Sequence, residues 1–179
     1  SGIGYTLQEQ ADLMVKMMEA LQISKVHILG VSDGGAIALN LAARYPDKVD
    51  KIVSIEGNGI NGNRHQKLSY GPMQDFLRVP ILGEIPIGLI RSGVADKLVT
   101  KSVMGKAWMD LNELEKKEVM RIVSQSIRTA SRSSWFHICR TLKTSRDFTE
   151  EAKRISTPIL YLYGGNSDYY EMAKDNAKF

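Results

Sequence analysis

The sequence predicts an α/β domain built on parallel strands. Two short apolar runs with β-branched residues, Val26–Val31 and Val49–Ile55, bracket an alanine-rich segment of strong helix formers, residues 36–43. Strand, helix and strand joined by a short return make a βαβ unit, whose two strands run parallel. A third apolar run, residues 159–163, restores the strand pattern after a long stretch of helical periodicity. At 179 residues, 43% hydrophobic and 25% charged, the chain has enough apolar content for one real core.

Each element has its own local cause. Thr6-Leu7-Gln8-Glu9 is a capping box, and Leu7, Ala11, Met14, Val15, Met18 and Leu21 come after it at helical spacing. An amphipathic helix over about 6–22 is expected, with its methionines as core filler. In the next strand, His27 reads as a satisfied core histidine rather than a catalytic one. The helix after that strand ends at Arg44-Tyr45, because Pro46 cannot continue it.

Between strand and helix stands Gly30-Val31-Ser32-Asp33-Gly34-Gly35. A bare Gly-x-Ser-x-Gly arises by chance in roughly one chain of this length in twenty. One reading is a glycine-rich turn whose serine caps the helix. The other is a nucleophile elbow, a tight and strained turn that lifts the serine Oγ clear of the sheet. Gly30 and Gly34 would then let the strand and helix backbones approach, and the helix N-terminus would offer the Asp33 N–H to an oxyanion. The strand before, the helix after and the extra Gly35 favour the elbow.

From Gly57 the pattern changes. Residues 57–63 are turn-rich, and the chain beyond them is helical in pattern. Asp110-Leu111-Asn112-Glu113 opens a helix with Leu114, Val119, Ile122, Val123 and Ile127 on or near its apolar face, and a second helix starts near Ser133-Ser134 and carries Trp135, Phe136, Ile138 and Leu142. An insertion of this size between strands reads as a lid. The expected division is a core half over 1–57, a helical cap over 58–147 and a core return over 148–179. In that return Thr157-Pro158 leads into the third strand, with Gly164-Gly165-Asn166-Ser167-Asp168 as the turn beyond it. Functional side chains of open α/β sheets gather outside the carboxyl ends of the strands, so Ser32 and Asp168 are expected on one edge.

Composition removes other classes. The net charge of +4 is spread along the chain, and Lys97, Lys101, Lys106, Lys116 and Lys117 read as solvated helix faces, not a nucleic-acid footprint. The longest apolar stretch, 79–90, is broken by Glu84 and Pro86 and is too short to span a bilayer. The single cysteine, Cys139, excludes an internal disulfide, reads as a buried thiol and fits a reducing, cytoplasmic setting. No metal-ligand cluster is visible. The glycine run lacks the Lys-Ser/Thr ending of a phosphate loop, so no cofactor is expected.

With these residues in place, the chain resembles the α/β-hydrolases. The helix entered at Tyr5-Thr6, the run from Lys25 to Gly35, the Arg44-Tyr45-Pro46-Asp47-Lys48-Val49 exit and residues 158–168 fall in family order. The Gly-x-Ser-Asp-Gly-Gly form is most similar to the subgroup of biphenyl-hydrolase-like proteins and related bacterial esterases. The resemblance implies a partial parallel sheet with flanking helices and a cap, and a Ser-Asp-His triad acting on a small ester or amide. Ser32 matches the nucleophile and Asp168 the acid. Glu56, where some relatives keep the acid, is the alternative. Acyl transfer and carbon–carbon bond hydrolysis use the same machinery, and a ligand-binding protein with little turnover is the competing class.

The chain departs from the pattern twice. The family histidine comes after one more strand, which this sequence does not reach, and His27, His65 and His137 do not match it. The first strands and the loop giving the second oxyanion donor are not seen either. The expectation is an internal fragment of a longer hydrolase, without useful ester turnover of its own, whose first strand has an open edge. The Asp33 carboxylate complements the helix dipole; a bias toward cationic substrates is the sharper role it could play.

Overall fold

A computed structural model of the chain describes residues 6–57, 60, 79, 82, 84–129, 147–165, 174 and 176–178. The chain divides into two compact units, Ser1–Leu68 with Thr141–Phe179, and Ser69–Arg140.

The first unit holds a parallel sheet in the order β1 (Val26–Val31), β2 (Val49–Ile55), β3 (Ile159–Leu162). Val31 pairs with Ile55 and Ile55 with Leu162, so the three strands end level with one another. The expected parallel βαβ unit is present, with α2 (Asp33–Arg44) as its crossover. Pro46 opens a 3-10 turn through Lys48, which leads directly into β2.

Helix α1 (Leu7–Ala20) starts with both halves of its capping box formed: Glu9 N–H donates to Thr6 Oγ1 at 3.2 Å, and Thr6 N–H donates to Glu9 Oε2 at 3.1 Å. Leu7, Ala11, Val15 and Met18 are buried, as their spacing predicts. Met14 and Leu21 are instead 37% and 61% exposed, because they fall at the margin of a narrow stripe centred on the other four. Helix α2 lies deepest. Ala36, Ala38, Leu39, Leu41 and Ala42 join the core, and α1, β1 and β2 all pack against this one helix.

The sheet buries only one face among the described residues. Ile28, Ile52, Ile159 and Tyr161 pack inward with α1 and α2, while Leu29, Val31, Leu160 and Leu162 remain 43–65% exposed. The strand period of two puts His27 on that open face. Its side chain is exposed, with Nδ1 3.3 Å from Asp50 Oδ2, so the core-histidine expectation is wrong. Strand β1 pairs on one side only among the described residues, as the expected open edge requires.

The described part of the second unit is helical: α3 (Glu84–Ser92), α4 (Asp96–Met104), α5 (Ala107–Asp110) and α6 (Glu113–Thr129). Helix α6 is capped by Asn112, two residues later than the Asp110 box predicts. Asn112 Oδ1 accepts from Leu114 and Glu115 N–H at 2.9 Å each, and Glu115 Oε2 accepts from Asn112 N–H at 2.8 Å. Its packed stripe runs through Val119, Val123, Ser124 and Ile127, leaving Leu114 and Ile122 exposed against expectation. An Arg128–Asp96 ion pair at 2.7 Å ties α6 to α4. Trp108 is buried, with the Lys116 ammonium over its ring. The helix expected near 133–142, with Cys139, lies outside the described residues. No described helix is long and apolar enough to cross a membrane.

Candidate active site

The site is built where β1 ends. Ser32 leaves the strand with φ 53° and ψ −119°, a conformation suited to glycine and costly for serine, on the order of 1–3 kcal/mol. Two backbone bonds hold it there. Ser32 N–H donates to the Ile55 carbonyl at 2.9 Å, and Gly35 N–H donates to the Ser32 carbonyl at 3.0 Å. The residue is exposed, and its hydroxyl makes no capping bond to α2. A capping serine would spend its Oγ on the second or third N–H of the helix. This one does not, so the capping reading fails on geometry.

The glycines divide the steric work differently from expectation. A Cβ on Gly30 would lie 2.5 Å from the Gly34 carbonyl carbon and 2.6 Å from the Gly35 nitrogen, so Gly30 is obligatory. A Cβ on Gly34 would meet nothing within 4 Å. It is the backbone of Gly34 that crowds Gly30, while its own hydrogens face open space. Gly35 is the second close-packed glycine: its Cβ would sit 2.5 Å from Ser54 Oγ and 2.9 Å from the Gly57 Cα. Ser54, fully buried on β2, wedges between these two glycines.

Asp33 is the first residue of α2 and half-buried, which puts its N–H in the first turn beside Ser32. Glu56 occupies on β2 the place that Ser32 occupies on β1. It too has a positive φ, 47°, and its N–H donates to the Leu162 carbonyl at 2.9 Å. Its carboxylate Oε1 accepts from Gly164 N–H at 2.6 Å, just past the end of β3. Beside it, Tyr163 Oη donates to the Gly57 carbonyl at 2.7 Å, and burial raises the Tyr163 hydroxyl above its ordinary pKa. Ile60 N–H donates to Oδ1 of the buried Asn176 at 3.0 Å.

Ser32, Glu56 and Gly164 thus leave adjacent strands at one edge of the sheet. Asp168 lies outside the described residues, as do His65 and His137. His27, at the start of β1, stands at the opposite edge. Among the described residues no group of three His, Cys, Asp or Glu side chains is placed to hold a metal. A surface hollow of about 370 Å³ lined by Arg44, Tyr45, Glu150, Glu151 and Arg154 sits at the far end of α2, a helix length away from Ser32. Sequence reasoning missed Ser54, Gly57, Tyr163 and Asn176. A small polar residue on the inward face of β2, with a glycine soon after it, is a readable sign of close backbone approach, whereas nothing local marks Asn176.

Comparison with known proteins agrees with this geometry. Residues 3–169 match the family described as alpha/beta hydrolase fold. The "Putative carbamate hydrolase RutD" of Caulobacter vibrioides is 45% identical over 53 residues, 30% of this chain and 20% of that protein. The 2-hydroxy-6-oxo-6-phenylhexa-2,4-dienoate hydrolase of Burkholderia cepacia is 43% identical over 47 residues, 26% of this chain and 16% of that protein. A solved structure from a study of Nitrososphaera gargenis carboxylesterases superposes with a TM-score of 0.69 at 18% identity, covering 99% of this chain and 61% of that one; at that identity the likeness is one of fold. The chain therefore spans less than two thirds of the length of these relatives. With the family match running over nearly its whole length, and a strained serine turn where β1 meets α2, this chain belongs to the α/β-hydrolase fold family.

Proposed function

We propose that the protein is a serine hydrolase of carboxylic esters or amides, with Ser32 as its nucleophile. The observation that carries this reading is the uncapped, exposed Ser32 hydroxyl on a strained backbone at the carboxyl edge of a parallel sheet. In the proposed reaction Oγ attacks the acyl carbon and its proton passes to a histidine base. The carbonyl oxygen becomes an oxyanion facing the Asp33 N–H, and collapse expels the alcohol or amine, which takes the proton from the imidazolium. Water then repeats the sequence on the acyl-serine and frees the acid. The base is not among the described residues, His27 being at the wrong edge.

Asp168 is the proposed partner of that base, because it follows in sequence from β3, whose carboxyl end lies level with the exit to Ser32. The Glu56 carboxylate is bonded to Gly164, which makes it the weaker candidate for the acid. Residues 58–147 are proposed to act as the cap that shapes the acyl pocket. The names of the Caulobacter and Burkholderia relatives extend the substrate class to carbamates and to activated carbon–carbon bonds, both reached through attack on a carbonyl carbon. Hydrolysis of p-nitrophenyl acetate by the full-length protein tests the reading. Turnover should fall to background in Ser32→Ala. Turnover that survives the substitution would overturn it.

A further inference from the structure

We propose that Glu56 is a positioning residue: its carboxylate clamps the Gly164 amide and so fixes where the segment after β3 leaves the sheet relative to Ser32. The inference rests on the serine-hydrolase reading above and extends it to a residue whose type suggests a different role. Register places the parts. Val31, Ile55 and Leu162 are level, so Ser32 and Glu56 emerge side by side, each donating its N–H to the last carbonyl of the next strand, Ile55 and Leu162 respectively. Position 56 has a left-handed backbone that glycine or asparagine would adopt at less cost. From there the glutamate reaches Gly164 N–H at 2.6 Å, a short charge-assisted bond. The Tyr163 Oη bond to the Gly57 carbonyl, 2.7 Å and partly buried, runs between the same two exits.

Together the two bonds cross-brace the strand ends on which the reaction depends. One exit is joined to the elbow through Ser32 N–H and Ile55. The other leads in sequence to Asp168, four residues beyond Gly164, and four residues extend at most about 14 Å. Anchoring Gly164 therefore fixes the point from which the chain sets out toward residue 168. A shift of about 1 Å in such a group is enough to cost up to roughly 100-fold in rate.

The test compares Glu56→Gln with Glu56→Ala in the full-length protein. Glutamine keeps an oxygen that accepts from Gly164 N–H, and alanine does not. In Glu56→Ala, kcat for ester hydrolysis should fall roughly 10- to 100-fold with KM little changed. Exchange of the Gly164 amide with solvent should quicken about tenfold. Glu56→Gln should stay within about threefold of wild type on both readouts. Equal damage in the two variants would overturn the proposal and return Glu56 to the role of triad acid. Unchanged Gly164 exchange in Glu56→Ala would overturn the clamp itself. A wild type without Ser32-dependent turnover would overturn the hydrolase reading, and with it the catalytic half of this proposal, even where exchange still reports the clamp.

Discussion

Ser32 and Glu56 are two answers to one geometric situation. Both end parallel strands at the same level, both have a positive φ (53° and 47°), and both donate their N–H to the neighbouring strand's last carbonyl. At Ser32 the turn leads straight into α2, and the side chain stays exposed without a capping bond. At Glu56 the chain leaves β2 for the long sequence segment that separates it from β3, and the side chain is bonded to the next strand's exit. The difference teaches that strain alone does not mark a nucleophile. What sets Ser32 apart is strain together with an exposed hydroxyl that makes no capping bond to α2.

The largest effect that could break this comparison lies behind Ser32. Gly30→Ala drives a Cβ into the Gly34–Gly35 backbone and should cost about 3 kcal/mol or more in urea unfolding, while Gly34→Ala should be neutral or stabilise by a few tenths. Equal losses at the two positions would mean the turn is not as close as described. Next comes the strain itself. Ser32→Gly should raise stability by about 1–2 kcal/mol while abolishing turnover, because the backbone relaxes as the hydroxyl is lost. Glu56→Gly should gain less, since relief of strain is offset by loss of the Gly164 bond.

Tyr163→Phe removes the other half of the cross-brace and leaves the Gly57 carbonyl unpaired, at a cost of about 1 kcal/mol. The smallest effect at neutral pH is expected at its neighbour. Tyr161 Oη is buried and makes no hydrogen bond among the described residues, and burial pushes its pKa well above the ordinary value of 10. The folded state then keeps a proton that the unfolded chain releases, so stability should fall as pH rises above 10. Tyr161→Phe should be nearly neutral at pH 7, with about 1 °C or less of change in Tm, and should flatten that alkaline loss, both measured by thermal melts from about pH 7 to 11.5.

How much could be read in the sequence depends on how local each cause is. The α1 capping box, the βαβ unit and β2 from Val49 to Ile55 rest on adjacent residues, and their periodicity specified them closely. The tight turn between β1 and α2 was legible for the same reason. The face of the sheet that stays open was not, because it depends on where α1 and α2 pack; His27 and Leu29 look like core residues until that choice is made. The Glu56–Gly164 bond joins residues 108 positions apart, a separation no motif encodes. Even Gly34, central to the motif, proved sterically free, because a pattern names residues without saying which backbone approaches which.

The central claim, that Ser32 is a nucleophile, is met most directly by reacting the full-length protein with a fluorophosphonate probe and mapping the adduct by peptide mass. The account predicts a covalent adduct on Ser32, lost in Ser32→Ala while the variant remains folded. A folded wild type that takes up no probe, or takes it up at another residue, would contradict it and favour a binding protein on the same fold.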